Sequence, residues 1–339
     1  MKRLFAPGPL AGVGLLLLAG VALILWLAPS DRYIVLPDKA RSVAPLVQVK
    51  NGRAGRQTDQ GEIYFLAVFV RKATLLERLF PWLRDGATLV PASSLRTPGV
   101  SDEAQRRIDE RDMSQSQSIA AAVALRALGY KVVANNTGAQ VTNVITGMPA
   151  VGKLKPTDVI VALGGTPVHS PAELRRAMAR HQPGDLLRLS VRGSGGLRSV
   201  KIRPVADPHD PSRPVIGVFI DQAAQIRLPF RVTIDPGNVV GPSAGLAFAL
   251  EIMEKLGRDV DRGYRVAATG ELELNGEVLP IGAIHQKAIE AEKSHVEILL
   301  VPAGDNAAVA RRQARKVRVI PVKTFQQALH ALATLPPHA

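Results

Sequence analysis

The strongest constraint on this fold lies at the start of the chain. Leu10 to Ala28 is a run of 19 uncharged, mostly apolar residues, preceded by Met1-Lys2-Arg3. As a helix it would rise about 28 Å at ~1.5 Å per residue, close to the hydrocarbon thickness of a bilayer. It has no polar face and sits at the extreme N-terminus, which does not suit a core helix. The expectation is a single-pass anchor over residues 1–30, with membrane lipid as its partner. Lys2 and Arg3 would hold the N-terminus inside and place all that follows on the extracytoplasmic side. A signal peptide cut near Ala28-Pro29-Ser30 is the competing reading. The apolar part of such a peptide is usually ~7–15 residues, so length favours the anchor.

The whole chain has 339 residues, 46% of them hydrophobic, enough for two domains with substantial cores beyond the anchor. It has no cysteine, which excludes disulfides and thiolate metal sites. Seven histidines are scattered without metal-ligand spacing, so no metal and no cofactor is expected. The formal charge of +14 suits a basic surface facing anionic lipid. Nucleic acid is not an expected partner, because aromatics are only 4% and no basic motif interleaved with them occurs.

Residues 31–129 read as a membrane-proximal region. Leu46 to Val49 suggests a strand, and Glu62 to Val70 is an apolar, β-rich run expected as one buried strand. Leu75, Leu76, Leu79, Phe80, Trp82 and Leu83 alternate with Arg78 and Arg84. That segment either packs on the folded domain or lies on a membrane surface; its shortness and Pro81 favour packing. Ser101 to Leu128 reads as one long helix stopped by Gly129.

Residues 130–206 alternate strand and turn signals around one helix. Gln140 to Ile145 is a strand, Gly147-Met-Pro-Ala150 a turn, and Asp158 to Leu163 a second strand. Ser170-Pro171 starts a helix running to about Arg180, and Leu186 to Arg192 is a further strand. This order, with Gly-Met-Pro-Ala followed by Leu-Lys-Pro-Thr-Asp-Val-Ile, resembles a PDZ domain of the bacterial protease type. The resemblance implies capture of an extended peptide by strand addition. It places the peptide's carboxylate near Gly129, Tyr130, Lys131 and Val132, with the helix 171–180 as one wall. Asp207 to Pro214, rich in proline, reads as a linker into a last domain, 207–339.

That last domain carries the chemistry. Gly241-Pro242-Ser243-Ala244-Gly245-Leu246 follows a strand-like run and opens a helix-like one. A serine there sits among unsatisfied backbone N–H groups, which favour an alkoxide and a nearby oxyanion. Forty-four residues on, Lys287 lies at the start of another helix. A desolvated lysine can deprotonate a serine. Gly-Pro-Ser243-Ala-Gly, then Thr269-Gly-Glu-Leu-Glu-Leu, then Val278-Leu-Pro-Ile-Gly-Ala-Ile-His-Gln-Lys287, resemble the proteolytic domain of Lon proteases. The resemblance implies a Ser243–Lys287 dyad, supported by Thr269 and by Gly241, Pro242 and Ala244. It also implies assembly into a ring, often a hexamer, acting on protein or peptide substrates. Two positions depart from the pattern: Val240 stands where many ATP-dependent relatives have an acid, and His285 where many have lysine. His285 is two residues from Lys287, and such residues face different sides of a helix.

Gly147 to Leu154 nearly spells a phosphate-binding loop, but Leu154 stands where a hydroxyl should ligate magnesium. No other ATPase signature accompanies it. The expected fold is therefore α+β: a transmembrane helix, a β-rich PDZ-like domain and a Lon-type α/β proteolytic domain. The expected function is a membrane-anchored, ATP-independent serine endopeptidase. The alternative is a PDZ adaptor or scaffold at the membrane with an inactive protease domain.

Overall fold

A computed structural model describes residues 7–49, 61–91, 94, 102–208, 210–336 and 338. The first helix, α1 (Pro7–Leu27), contains no charged residue. It leads into β1 (Pro29–Pro37), β2 (Arg41–Ser42), β3 (Val47–Val49), β4 (Glu62–Phe65) and β5 (Val68–Thr74). A short helix α2 (Leu75–Leu79) and a 3-10 turn at Pro81–Leu83 precede β6 (Thr88–Pro91) and the long helix α3 (Asp102–Ala127). Next come β7 (Val133–Val144), β8 (Val159–Leu163), β9 (Thr166–Pro167), α4 (Pro171–Met178), β10 (Leu187–Gly193), β11 (Gly196–Ile202), β12 (Val205–Ala206), β13 (Pro214–Val215) and β14 (Val218–Arg227). The chain ends with β15 (Val232–Ile234), α5 (Gly245–Lys255), β16 (Arg265–Ala268), β17 (Glu271–Leu272), β18 (Val278–Leu279), α6 (Ile284–Lys293), β19 (Ile298–Pro302), α7 (Asp305–Gln313), β20 (Arg318–Val322) and α8 (Phe325–Ala333).

The side chains of α1 from residue 12 onward stand in the open, with Leu15 72% and Leu16 73% exposed. Among the described residues, which for α1's side chains means 12–27, no helix is long and apolar enough to cross a membrane. Lys2 and Arg3 lie outside the described residues.

The run from Glu62 to Val70, expected as one strand, is two. β4 joins a sheet in the order β2-β4-β16-β19-β20, whereas β5 joins a separate sheet in the order β5-β1-β6. The chain changes sheets at Leu66-Ala67, where Leu66 is buried against Ala267 and Leu299. Hydrophobicity alone does not mark this break, because both halves are apolar.

The division at 130 and 207 also separates segments that share one core. Val43, Val47, Ile63 and Phe65 pack in the same cluster as Ile119, Ala120 and Ala124 of α3 and Leu246, Phe248 and Leu250 of α5. The Phe65 and Phe248 rings meet at 6.1 Å. β4 and β16 pair in parallel, Phe65 opposite Ala268, and β3 pairs with β15. β2, β3, β4 and α3 therefore belong to the proteolytic core, and the PDZ-like unit is an insertion between α3 and β15.

That unit has its own core of Val141, Ile160, Leu163, Leu174, Leu189 and Ile202. Its sheet runs β11-β10-β8-β7-β14, with β9 beside β8. The proline-rich stretch after 206, expected as a linker, is a hairpin in which β12 pairs with β13. The chain then re-enters the same sheet as β14, registered antiparallel to β7 from Val218↔Val144 to Arg227↔Val133. Prolines at a hairpin tip give the same local signal as a linker, so only the strand that follows reveals the difference.

Candidate active site

Three segments converge at the site. A 3-10 turn, Pro242–Ala244, feeds directly into α5, so Ser243 stands at the start of a helix that is otherwise wholly buried as far as Met253. Gly241 sets up this turn at φ +94°, a conformation that strains any residue with a Cβ. The end of β16 supplies Thr269 and Gly270. Gly270 N–H donates to the Ser243 carbonyl at 2.8 Å, and the Thr269 hydroxyl donates to it at 3.2 Å. The first turn of α6 supplies Lys287. That helix starts from Ala283 in the left-handed region, φ 55°.

The side chains meet. Lys287 Nζ donates to Ser243 Oγ at 2.7 Å and to Thr269 Oγ1 at 3.1 Å. Lys287 is 3% exposed and Thr269 fully buried, while Ser243 is half-buried. Burial pushes the lysine ammonium down to about 8, and no carboxylate contributes to that shift. The amine is thus poised to be neutral near physiological pH, beside a hydroxyl that solvent can reach. Neither of the described hydrogen bonds of the Lys287 amine involves His285, which is half-buried on another side of α6.

Two polar residues that sequence reasoning passed over hold this arrangement. Ser116 of α3, 3% exposed, donates its hydroxyl to the Pro242 carbonyl at 3.1 Å. It lies on the buried stripe with Met113, Ile119 and Ala120, so helical periodicity was the available signal. Gln286, 2% exposed, donates to the Gly86 carbonyl at 3.2 Å and to Thr88 Oγ1 at 2.7 Å. Its partners are some two hundred residues away in sequence, and no local pattern announces them. Glu273 is 3% exposed. Burial raises its carboxyl pKa and that of Glu271, against the opposing charge of Arg175 on α4.

Gly129 to Val132, expected to hold a peptide's carboxylate, close α3: Gly129 adopts φ +83°, Tyr130 N–H returns to the Leu125 carbonyl, and the Tyr130 ring meets Phe230 edge-on at 5.2 Å. A groove of about 920 Å³ lies between α4 and the start of β14, lined by Leu174, Arg175, Met178, Gly217, Val218 and Ile220. β14 is the last strand of its sheet, so a free edge is open to an added strand. Gly217 sits at φ +78°, and a Cβ there would come within 2.0 Å of Met148. A smaller cavity of about 200 Å³ lies under the serine turn and touches Pro242, Ser116 and Leu272. Arg175 and Ile220 line both hollows.

Comparison with known proteins agrees with this geometry. Residues 126–203 match the PDZ domain, and residues 230–334 match the Lon protease (S16) C-terminal proteolytic domain. The chain carries a PDZ domain and a Lon-type serine-peptidase domain. Lon protease 2 of Bacillus subtilis (strain 168) is 34% identical over 117 residues, 34% of this chain and 20% of that protein. The Lon protease of Mesomycoplasma hyopneumoniae (strain 232) is 38% identical over 90 residues, 26% of this chain and 10% of that protein. The chain thus spans between a tenth and a fifth of the length of these relatives. Among solved structures, the PDZ domain of an SdrC-like protein from Listeria innocua aligns with 24% of this chain and 92% of its own. Its identity is 24% and its TM-score 0.23.

Proposed function

We propose that this protein is a membrane-anchored serine endopeptidase that works without an ATPase module of its own. Ser243 is the nucleophile and Lys287 the general base. The observation that carries the reading is the 2.7 Å contact between the buried Lys287 amine and the half-buried Ser243 hydroxyl. Neutral Lys287 takes the Ser243 proton as Oγ attacks the scissile carbonyl carbon. Backbone N–H groups of Ser243 and Ala244 stabilise the oxyanion. The Lys287 ammonium then protonates the departing amine, leaving an acyl-enzyme. Water enters, gives a proton to Lys287 and attacks the ester; the acid leaves as Ser243 recovers its proton.

The PDZ groove takes an extended segment or tail of a protein substrate or regulator on the β14 edge. Arg175 and Ile220, shared with the cavity under the serine turn, support a path from capture to cleavage. The anchor is α1, whose 21 uncharged residues favour the bilayer over water, with the catalytic unit outside the cytoplasm. The working form is a homo-oligomeric ring.

The test is hydrolysis of casein by the full chain in detergent without ATP, beside Ser243→Ala and Lys287→Ala. Hydrolysis by the native protein that both substitutions abolish supports the dyad. Activity that survives Lys287→Ala overturns the assignment of the base.

A further inference from the structure

The segment Leu79–Leu83 finds no place in the core of any domain. Leu79 is 54% exposed, Phe80 38%, Trp82 72% and Leu83 56%. Sequence alone favoured packing against the folded domain; instead these side chains form a spur. Phe80 and Trp82 touch only edge-on, rings 5.3 Å apart. A water-facing loop gains nothing from two aromatics and two leucines side by side, so their exposure points to a partner.

The position of the spur says which partner. Leu75 N–H at the start of α2 donates to the Ala28 carbonyl at the end of α1, 2.9 Å away. Arg78 reaches Asp31, just past α1, at 2.5 Å. A capping box at Thr74 and Glu77 fixes the first turn of α2. Glu77 is buried and takes Arg71 at 2.6 Å and Arg84 at 3.2 Å, which tie the strand before the spur to the loop after it. The spur is therefore held firmly at the foot of the apolar helix. Between residues 69 and 84 the chain carries Arg71, Lys72, Arg78 and Arg84 against the single acid Glu77.

We propose that this spur is a lipid-contacting surface: Phe80, Trp82, Leu79 and Leu83 enter the headgroup layer of an anionic bilayer, with exposed Lys72 and the outer faces of Arg78 and Arg84 near the phosphates. Aromatic side chains of amphipathic character settle at that depth, and basic ones beside them add attraction to anionic lipid. The surface continues the apolar face begun by α1, and rests on the reading of α1 as an anchor. Its consequence is a fixed posture. Three residues beyond Leu83 lies Gly86, whose carbonyl is held by Gln286 next to Lys287. The catalytic helix is thereby set at a defined height above the lipid.

The chain has two tryptophans and no cysteine, which makes the test direct. The full chain bearing Trp26→Phe, so that Trp82 alone reports, is reconstituted in phosphatidylethanolamine–phosphatidylglycerol vesicles. Lipids brominated near the headgroup, and aqueous iodide, serve as competing quenchers. Expected are a blue-shifted Trp82 emission, strong loss of intensity with the brominated lipid, and little loss with iodide. Quenching by iodide alone overturns the proposal, as does shielding from both quenchers, which would mean that protein covers the spur. A separate variant, Leu17→Cys in the middle of α1 and carrying an environment-sensitive dye, reports on α1 by itself with lipids brominated deep in the acyl chains. Lipid quenching of that dye without quenching of Trp82 leaves the anchor standing and removes the spur. Lipid quenching of Trp82 without quenching of the dye supports the spur and removes the anchor.

Discussion

One nitrogen, Nζ of Lys287, sets both the working pH of this site and part of the stability of the fold. With the amine's pKa near 8, kcat/KM should rise about tenfold per pH unit below that value and level off above it, as general-base catalysis requires. A profile flat from acid to neutral pH would remove Lys287 from the mechanism. The same depression acts on stability with a definite sign. Unfolded lysine titrates near ~10.4, so between about 8 and 10.4 the unfolded chain binds more protons and stability rises with pH. Below both values the buried ammonium costs roughly 3 kcal/mol, at ~1.4 kcal/mol per unit. Lys287→Met removes that cost but also loses two hydrogen bonds worth about 1 kcal/mol each. The variant should therefore be inactive yet more stable than the native protein by about 1 kcal/mol at pH 7, and less stable above roughly pH 10.5. Urea unfolding at the two pH values checks it. Ser243 and Lys287 were legible singly, as a serine and a lysine at helix starts; their grouping with Thr269, which follows β16, came with the resemblance to the Lon proteolytic domain. Gly129 was legible as the stop of α3, whereas a peptide-binding role for Gly129 to Val132 came only with the PDZ resemblance.

At the scale of elements, α6 does two things from adjacent residues. Lys287 faces the serine, and Gln286 faces away and grips Gly86 and Thr88, which belong to the segment beneath α1. Gly86 adopts φ +70°, which strains any residue with a Cβ, and a Cβ there would press at 3.0 Å on the side chains of Ile289 and Pro37. The helix that carries the base is thus docked on a sheet outside the region matched to the proteolytic family. Gln286→Leu keeps the volume and deletes the donors. It should lower stability by about 1–2 kcal/mol, in line with an unmet buried acceptor. It should also lower kcat several-fold with little change in KM, because the misplaced group is the base and not a substrate contact. A rise in KM at unchanged kcat would mean that Gln286 acts on substrate binding. The sequence announced the start of α6 and Lys287 upon it, but not Gln286. It held no sign of what Gln286 would bond, because a side-chain amide finds its acceptors in three dimensions.

At the scale of the whole molecule, the PDZ unit interrupts a domain that sequence reading placed entirely after it. The strands that complete the proteolytic sheet, β2 and β4, and the helix α3 that covers α5 come before the insertion. The pairing of Phe65 with Ala268 joins residues about two hundred positions apart, beyond the reach of any periodicity argument. The internal order of the PDZ unit was legible because its turns and helix cap are local; its last strand was hidden behind a proline hairpin. The insertion's ends are adjacent: Val133 and Arg227 are registered partners on antiparallel strands. Antiparallel neighbours can be joined by a two-residue Asn-Gly turn. Replacing residues 134–226 by that dipeptide should leave one hairpin stub on an intact core. From the protease side the excision takes the partly buried Ile226, the Arg176–Glu277 ion pair and the charge of Arg175 near Glu271 and Glu273, all at the edge of the core. The excised protein should unfold cooperatively and still hydrolyse casein, with Lys287 Nζ and Ser243 Oγ undisturbed. By contrast, residues 207–339 alone lack Ile63, Phe65, Ile119 and Ala124, and strip β16 of its β4 neighbour. Each lost large apolar side chain forfeits roughly 2–5 kcal/mol, so Ile63, Phe65 and Ile119 alone account for about as much as the ~5–15 kcal/mol that holds a domain. That fragment should show no cooperative thermal transition. If it folds while the excised protein aggregates, the PDZ unit is a partner of the core and not an insertion in it.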